Sequence, residues 1–395
     1  MLALRLTFRA HPLVLLRRLL VATAAAGTGF LVLTALAHAA AHPTAAGASP
    51  GRLLWCAAPL AATAQLAVSV ARTDPAARLQ RGMTAAGLGP FRLTLLAAAS
   101  TALTCALGVL LALIAFLTLR GDLGTTARIT ARTAAPRAVD AGLLGAGHPL
   151  PLIGALMLLS LVPLTVAAAT AYSLRPRAEA GAVDTEPAPI TKAPPGLPWG
   201  VALTAAGLAL ESYTTPAGGT PGGLLPLPGH LIGSPPGILA GWALAAFGLV
   251  LAGPGLVYLS GQLLCAGRPG ALRLLSGRVL QEESHRLGRP LGVLCAVASG
   301  IYAAVTVYQA APSRPLGPFT AIGAAIIFAC VSISALSASL ESRAARARTT
   351  AALRRLGASA STLHRATALR AVAVLLVLGP LTWTVAEMAT LPLVH

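Results

Sequence analysis

Apolar runs of about 20 residues alternate with short basic segments along the chain, the pattern of helices that cross a bilayer repeatedly. Nine runs fit: 19–40, 53–71, 91–118, 149–174, 198–213, 236–260, 291–311, 319–340 and 368–392. The run at 198–213 is the shortest and is flanked by Pro and Gly, so it either crosses or re-enters. The predicted fold class is all-α, a polytopic helical membrane protein of about nine transmembrane helices. The spans also carry an internal repeat. Residues 1–118 match residues 269–386 at a constant offset of 268. Ala3-Leu4-Arg5-Leu6 faces Ala271-Leu272-Arg273-Leu274, and Leu88-Gly89 faces Leu356-Gly357. Each copy reads as basic prelude, span, short outer loop, span, Arg-rich helix and span.

The implied organisation is a first repeat over 1–174 with four spans, and a flexible linker over 175–197 that is rich in proline and charge. A connecting span pair over 198–262 and a second repeat over 263–395 with three spans follow.

Composition supports the membrane reading. The chain is 56% hydrophobic and 10% charged, against about 25% charged residues in a soluble domain. A net charge of +18 would point to nucleic acid in a soluble protein. Here the arginines fall between apolar runs, where they orient spans, so no nucleic-acid partner is expected. With the N-terminus inside, only Arg52, Arg120, Arg128, Arg132, Arg137 and Arg314 of the 29 basic residues lie outside. That bias predicts a cytoplasmic N-terminus and, after nine spans, a C-terminus outside. Abundant Ala, Arg, Gly and Pro beside a single lysine, Lys192, points to a bacterial plasma membrane. The first run also has a signal-like basic start and a small-residue site at Ala37-His38-Ala39, but its length favours a retained span.

Two stretches between spans, about 72–89 and about 341–365, combine arginines with an apolar stripe and end in glycine. In the first, Arg78 and Arg81 are three apart and Leu79 and Met83 four apart, so each pair shares a helix face. In the second, Leu353 and Leu356 form a stripe flanked by Arg354 and Arg355, and Gly357-Ala358-Ser359 is the break. A positive-inside loop that is merely helical would have the same composition. Two such helices at equivalent places in a repeat point instead to docking.

The run LRRLGASASTLHR within Arg346–Arg365, and more loosely RLQRGMTAAGLGPFR over Arg78–Arg92, resembles FtsX/MacB-like ABC transporter permeases of the ten-span type. Through the repeat, the resemblance covers most of the chain and implies a three-to-four-helix FtsX-like core in each half. It also implies that the helix between the second and third spans of each core contacts a cytoplasmic P-loop ATPase. Arg78, Arg81, Met83, Leu88 and Gly89 would dock one ATPase copy, and Arg346, Leu353, Arg354, Leu356 and Gly357 the other. Two departures stand out. Such relatives carry a large outer domain, which no loop here is long enough to form. The span at 149–174 has no counterpart in the second repeat, so the last span is expected to be lacking. A second permease chain or a homodimer is then a candidate partner, beside the lipid bilayer itself.

No G-x-x-x-x-G-K-[ST] loop occurs and the sole lysine sits in TKAPP, so ATP would be bound on another subunit and no cofactor is expected here. The five cysteines have no metal spacing and read as small packing residues. His38 and His42 are four apart but lack a third ligand. Neither G-x-S-x-G nor H-E-x-x-H appears, which argues against an enzyme. Glu211 and Glu387 lie near the outer ends of spans and are the candidate intramembrane functional residues, although that depth also lets a carboxylate reach water. The expected function is a permease that moves or extracts an amphiphile (a lipid, peptide or antibiotic) with force from a separate ATPase. The alternatives are a gradient-driven secondary transporter, disfavoured by parallel repeats and the lack of midplane charge, and a degenerate or accessory membrane protein.

Overall fold

The computed structural model describes residues 12–41, 49–73, 90–120, 151–175, 194–214, 236–267, 270–310, 317–355, 357 and 359–394. They form ten helices: α1 (Pro12–Ala41), α2 (Ser49–Thr73), α3 (Pro90–Arg120), α4 (Leu152–Ser173), α5 (Gly196–Thr214), α6 (Pro236–Cys265), α7 (Ala271–Ala310), α8 (Pro318–Ala345), α9 (Ala347–Arg355) and α10 (Ala360–Val394). There is no strand among the described residues. All but α5 and α9 are long and apolar enough to cross a membrane, giving eight such helices. The expected run at 198–213 forms α5, whose 19 residues fall outside that set. The fold is that of a polytopic helical membrane protein.

Local chemistry sets the helix ends. Proline opens α1, α3, α6 and α8, at the position where a missing N–H removes no helical hydrogen bond. Gly357, at φ 93°, follows α9 in the left-handed region that a side chain would disfavour. Ser359 then caps α10, its Oγ accepting from the Thr362 N–H at 3.3 Å. Two elements depart from the sequence pattern. The basic prelude and the span from 291 are a single 40-residue helix, α7, that runs through Pro290. The 341–365 stretch is, by contrast, divided, by a turn at Arg346 and another at Gly357.

The repeat is visible in the helix boundaries. Adding 268 to the end of α1 and the starts of α2 and α3 gives 309, 317 and 358, against 310, 318 and 360 for α7, α8 and α10.

The described residues divide into two compact units. The first holds α1–α4 and residues 318–330 of α8. Within it α1 and α3 run parallel, because Gly108 lies against the Ala22 carbonyl and Gly29 against Val109 and Ala112. Further along, the Phe30 ring meets the edge of Phe116 at 5.8 Å. α4 joins α3 through Thr101 and Thr170, whose hydroxyls are 3.3 Å apart. The outer face of α4 leaves Ile153 84% and Met157 76% exposed, which is stable only against acyl chains.

The second unit holds α5, α6, α7, the rest of α8, α9 and α10. α6 is its centre. On one side Gly200, Thr204 and Gly207 of α5 meet Gly241, Ala245 and Gly248 of α6 at backbone distance. On the other, Gly288 of α7 sits on the backbone of Gly253 and Pro254, and Gly277 on Gly261. In lipid there is little hydrophobic drive between helices, so close approach through small residues supplies the attraction. Leu256, Cys295 and Leu378 then fill the seam between α6, α7 and α10.

A methyl group at Gly288 would meet Pro254 backbone atoms, whereas one at Gly300 would meet nothing within 4 Å. Gly288→Ala is therefore expected to destabilise the protein by about 1–3 kcal/mol. Gly300→Ala should be neutral or stabilising by up to about 1 kcal/mol. Detergent unfolding followed by circular dichroism separates the two; equal behaviour would contradict the α6–α7 contact.

Candidate functional site

The pair α7 and α10 forms the frame of the site. Ser276 Oγ on α7 donates to the Ala366 carbonyl on α10 at 3.3 Å, and Tyr302 Oη on α7 donates to Glu387 on α10 at 2.7 Å. Both sequences ascend together, so the helices are parallel. Between Ser276 and Tyr302 the axis rises about 39 Å, at about 1.5 Å per residue. The partners lie 90 and 85 residues apart, close to the separation of 86 between Phe30 and Phe116 in the first unit. The α1/α3 pair and the α7/α10 pair therefore share one register.

The third helix differs between the units. α2 packs along α1, and residues 318–330 of α8, its counterpart, belong to the first unit, where Ile326 meets Gly27 of α1 and Gly323 meets Trp55 of α2. A cavity of about 780 Å³ opens instead between α7, residues 335–346 and α10. Leu287, Leu291 and Leu294 of α7 and Val374, Leu375 and Leu378 of α10 make its walls apolar. Leu287, Leu291 and Leu294 are four and three apart, and Val374 and Leu375 lie four and three before Leu378, so each set shares one helix face. Tyr302 and Trp383 line one end, and Glu283, Arg343, Arg346 and Arg370 the other.

At the charged end Arg346, in the turn between α8 and α9, grips Glu283 of α7. Its Nε is 2.6 Å from Oε1, and its Nη2 donates to Oε2 at 2.7 Å. This is the bidentate fork that guanidinium and carboxylate form best. Burial lowers the Arg346 pKa, and the Glu283 charge opposes that shift. The fork ties the start of α9 to α7. Arg370 donates through Nε to the Ala366 carbonyl one turn back on its own helix, at 3.1 Å. Arg343 is exposed and makes no hydrogen bond or ion pair among the described residues. The lining thus holds three guanidiniums against one carboxylate.

The residues singled out by sequence fall in different places. Arg78, Arg81, Met83, Leu88, Gly89 and Leu356 lie outside the described residues. Arg354 is exposed on α9, Leu353 lies within the same helix, and Gly357 forms the turn after it. Arg346 is engaged by Glu283 rather than displayed. Glu387 accepts from Tyr302 and, at 2.8 Å, from Trp383 Nε1, at the aromatic end of the cavity. Glu211 does not line the cavity, although Leu208, one turn earlier on α5, packs with Ala303 and Ala389 beside Tyr302 and Glu387. It is fully buried at the end of α5 and accepts from Trp242 Nε1 of α6 at 2.6 Å.

Sequence reasoning missed Glu283, Tyr302, Arg343, Arg370 and Trp383 as site residues. One signal was present: Glu282-Glu283 is the only adjacent acidic pair in a chain with 11 Asp and Glu residues. Among the described residues no three His, Cys, Asp or Glu side chains converge as metal ligands. The fold and site define a multi-pass helical membrane protein with an amphipathic cavity in its second unit. No family model matches this sequence, no curated protein matches it, and no solved structure matches its fold.

Loss of either fork partner leaves a half-buried charge unmatched. Glu283→Ala and Arg346→Ala are each expected to cost about 2 kcal/mol, and the double variant less than their sum. Hydrogen exchange of α9 should rise in both single variants. Additive effects in the double-mutant cycle would show that the fork contributes no coupling.

Proposed function

We propose that this chain is the permease subunit of an ABC transporter, in which a separate cytoplasmic ATPase drives an amphiphilic substrate through or out of the bilayer. The observation that carries this reading is α9. It is a nine-residue helix between two long apolar helices, it leaves Arg354 and Arg355 exposed, and the Arg346–Glu283 fork anchors its start to α7. Force applied to α9 would pass through that fork into a helix that lines the cavity. This is the mechanical coupling that the resemblance to FtsX/MacB-like permeases implies.

Two further facts support it. Corresponding helices in the two halves keep the 268-residue offset, which suits a core duplicated to receive two ATPase copies. The cavity has apolar walls and one cationic end, the complement of an amphiphile. In this reading α9 faces the cytoplasm of a bacterial cell, ATP hydrolysis belongs to the partner subunit, and a second permease chain or a homodimer completes the assembly.

A single observation favours the gradient-driven alternative: Glu211 is a carboxylate with no solvent exposure, held by Trp242. That alternative requires transport that persists without ATP and stops in Glu211→Gln.

The deciding experiment is affinity purification of the tagged protein in mild detergent, with mass spectrometry of the proteins that accompany it. A P-loop ATPase should be recovered with the wild type. Changing Arg354 and Arg355 to Glu should lower its recovery about tenfold or more, because charge reversal places like charges across the interface. The permease reading fails when no ATPase accompanies the wild type under any nucleotide condition.

A further inference from the structure

We propose that the cavity between α7, α8 and α10 is a binding site for an anionic phospholipid. Arg343, Arg370 and Arg346 would hold its phosphate, and its acyl chains would lie along α7 and α10. Calling that lipid a substrate rests on the permease reading; its binding does not.

The charge pattern selects the head group. Of the three guanidiniums lining this end, only Arg346 is matched by a lining carboxylate, Glu283. Nearby on α7, Glu282 and Arg286 lie outside the lining and act on Glu283 in opposite directions. Arg370 has its Nε fixed on the Ala366 carbonyl, and neither Arg370 nor Arg343 forms an ion pair among the described residues. Guanidiniums converging beside low-dielectric walls favour a phosphate, whose oxygens accept their forked donors. A neutral amphiphile would leave two positive charges uncompensated.

The walls select the tail. From Leu280 to Tyr302 the lining extends about 33 Å along α7, at about 1.5 Å per residue, and is apolar along most of that length. A free phosphate would fill only the charged end. A peptide would bring backbone N–H and C=O groups against leucine and valine, where each unsatisfied group costs free energy. An acyl chain brings none. The volume of about 780 Å³ lies in the range of small-molecule sites. Leu375 and Trp383 line the cavity and remain 69% and 62% exposed, so a lipid could enter sideways from the bilayer.

The test uses the full chain in phosphatidylcholine nanodiscs containing a small fraction of diazirine-bearing phosphatidylglycerol, with crosslinks mapped by mass spectrometry. Labels should concentrate on cavity residues of α7 and α10, and unlabelled phosphatidylglycerol should displace them where added phosphatidylcholine does not. Changing Arg343 and Arg370 to Gln should lower cavity labelling about tenfold, the loss of two charge-assisted contacts, and the Lys pair should retain part of it. Ala371→Trp, at an exposed lining position, should block labelling without altering thermal unfolding.

Uniform labelling over lipid-facing helices such as α4, or labelling indifferent to the arginine variants, would overturn the site. Displacement by inorganic phosphate as effective as by the lipid would overturn the acyl part of it. ATPase recovery is read from the same preparation. Labelling without an ATPase leaves the site standing and removes the permease reading, and an ATPase without specific labelling does the reverse.

Discussion

Direct contact between helix backbones is the constraint on which the second unit depends. Apolar side chains gain little from leaving acyl chains for one another, so a bundle in lipid must draw its cohesion from packing density. Here glycine supplies it on two faces of one helix. α6 touches α5 through Gly241 and Gly248, and α7 through Gly253 and Gly261. The same contact explains why Pro290 does not break α7. Gly288 and Gly292 seat that stretch against the backbone of α6, and a neighbouring helix can support backbone groups that proline leaves without partners.

The cavity follows from a difference between two related trios of helices. The parallel pair is common to both, with the same register in α1/α3 and α7/α10. Against α1, α2 closes the space. In the second unit the lining residues of α7 and α10 keep an apolar face beside residues 335–346, and Leu375 and Trp383 on it stay largely exposed among the described residues. A face of this kind is stable beside acyl chains and would be costly against water. Its charged end is stabilised differently, by one carboxylate for three guanidiniums, which leaves it attractive to an anion.

The Glu283–Arg346 fork joins these features to α9. It is the described ion pair that bridges a long apolar helix and the short basic one. Position 283 corresponds to Leu15 in the first repeat, while position 346 corresponds to Arg78. The arginine is thus shared by both halves and its carboxylate partner belongs to the second half only. The two halves therefore differ chemically at this contact.

Much of this was written in the local pattern of the chain. Apolar runs, prolines at helix starts and the glycine break at 357 depend on neighbours within a few residues, so the all-helical class, eight of the nine expected spans and the 268-residue offset were legible there. The helical character of the segment holding Arg354 and Arg355 was legible for the same reason. What joins distant segments was not. Glu283 reads as one charge in a basic amphipathic prelude, and only folding brings it to Arg346, 63 residues away. Tyr302 and Glu387 are 85 residues apart, and Glu211 and Trp242 are 31. Hydropathy reports that a residue is buried in a bilayer or beside it, but not which helix it faces. Helix pairing and the cavity between α7, residues 335–346 and α10 come from packing in three dimensions, and the tertiary structure alone decided them.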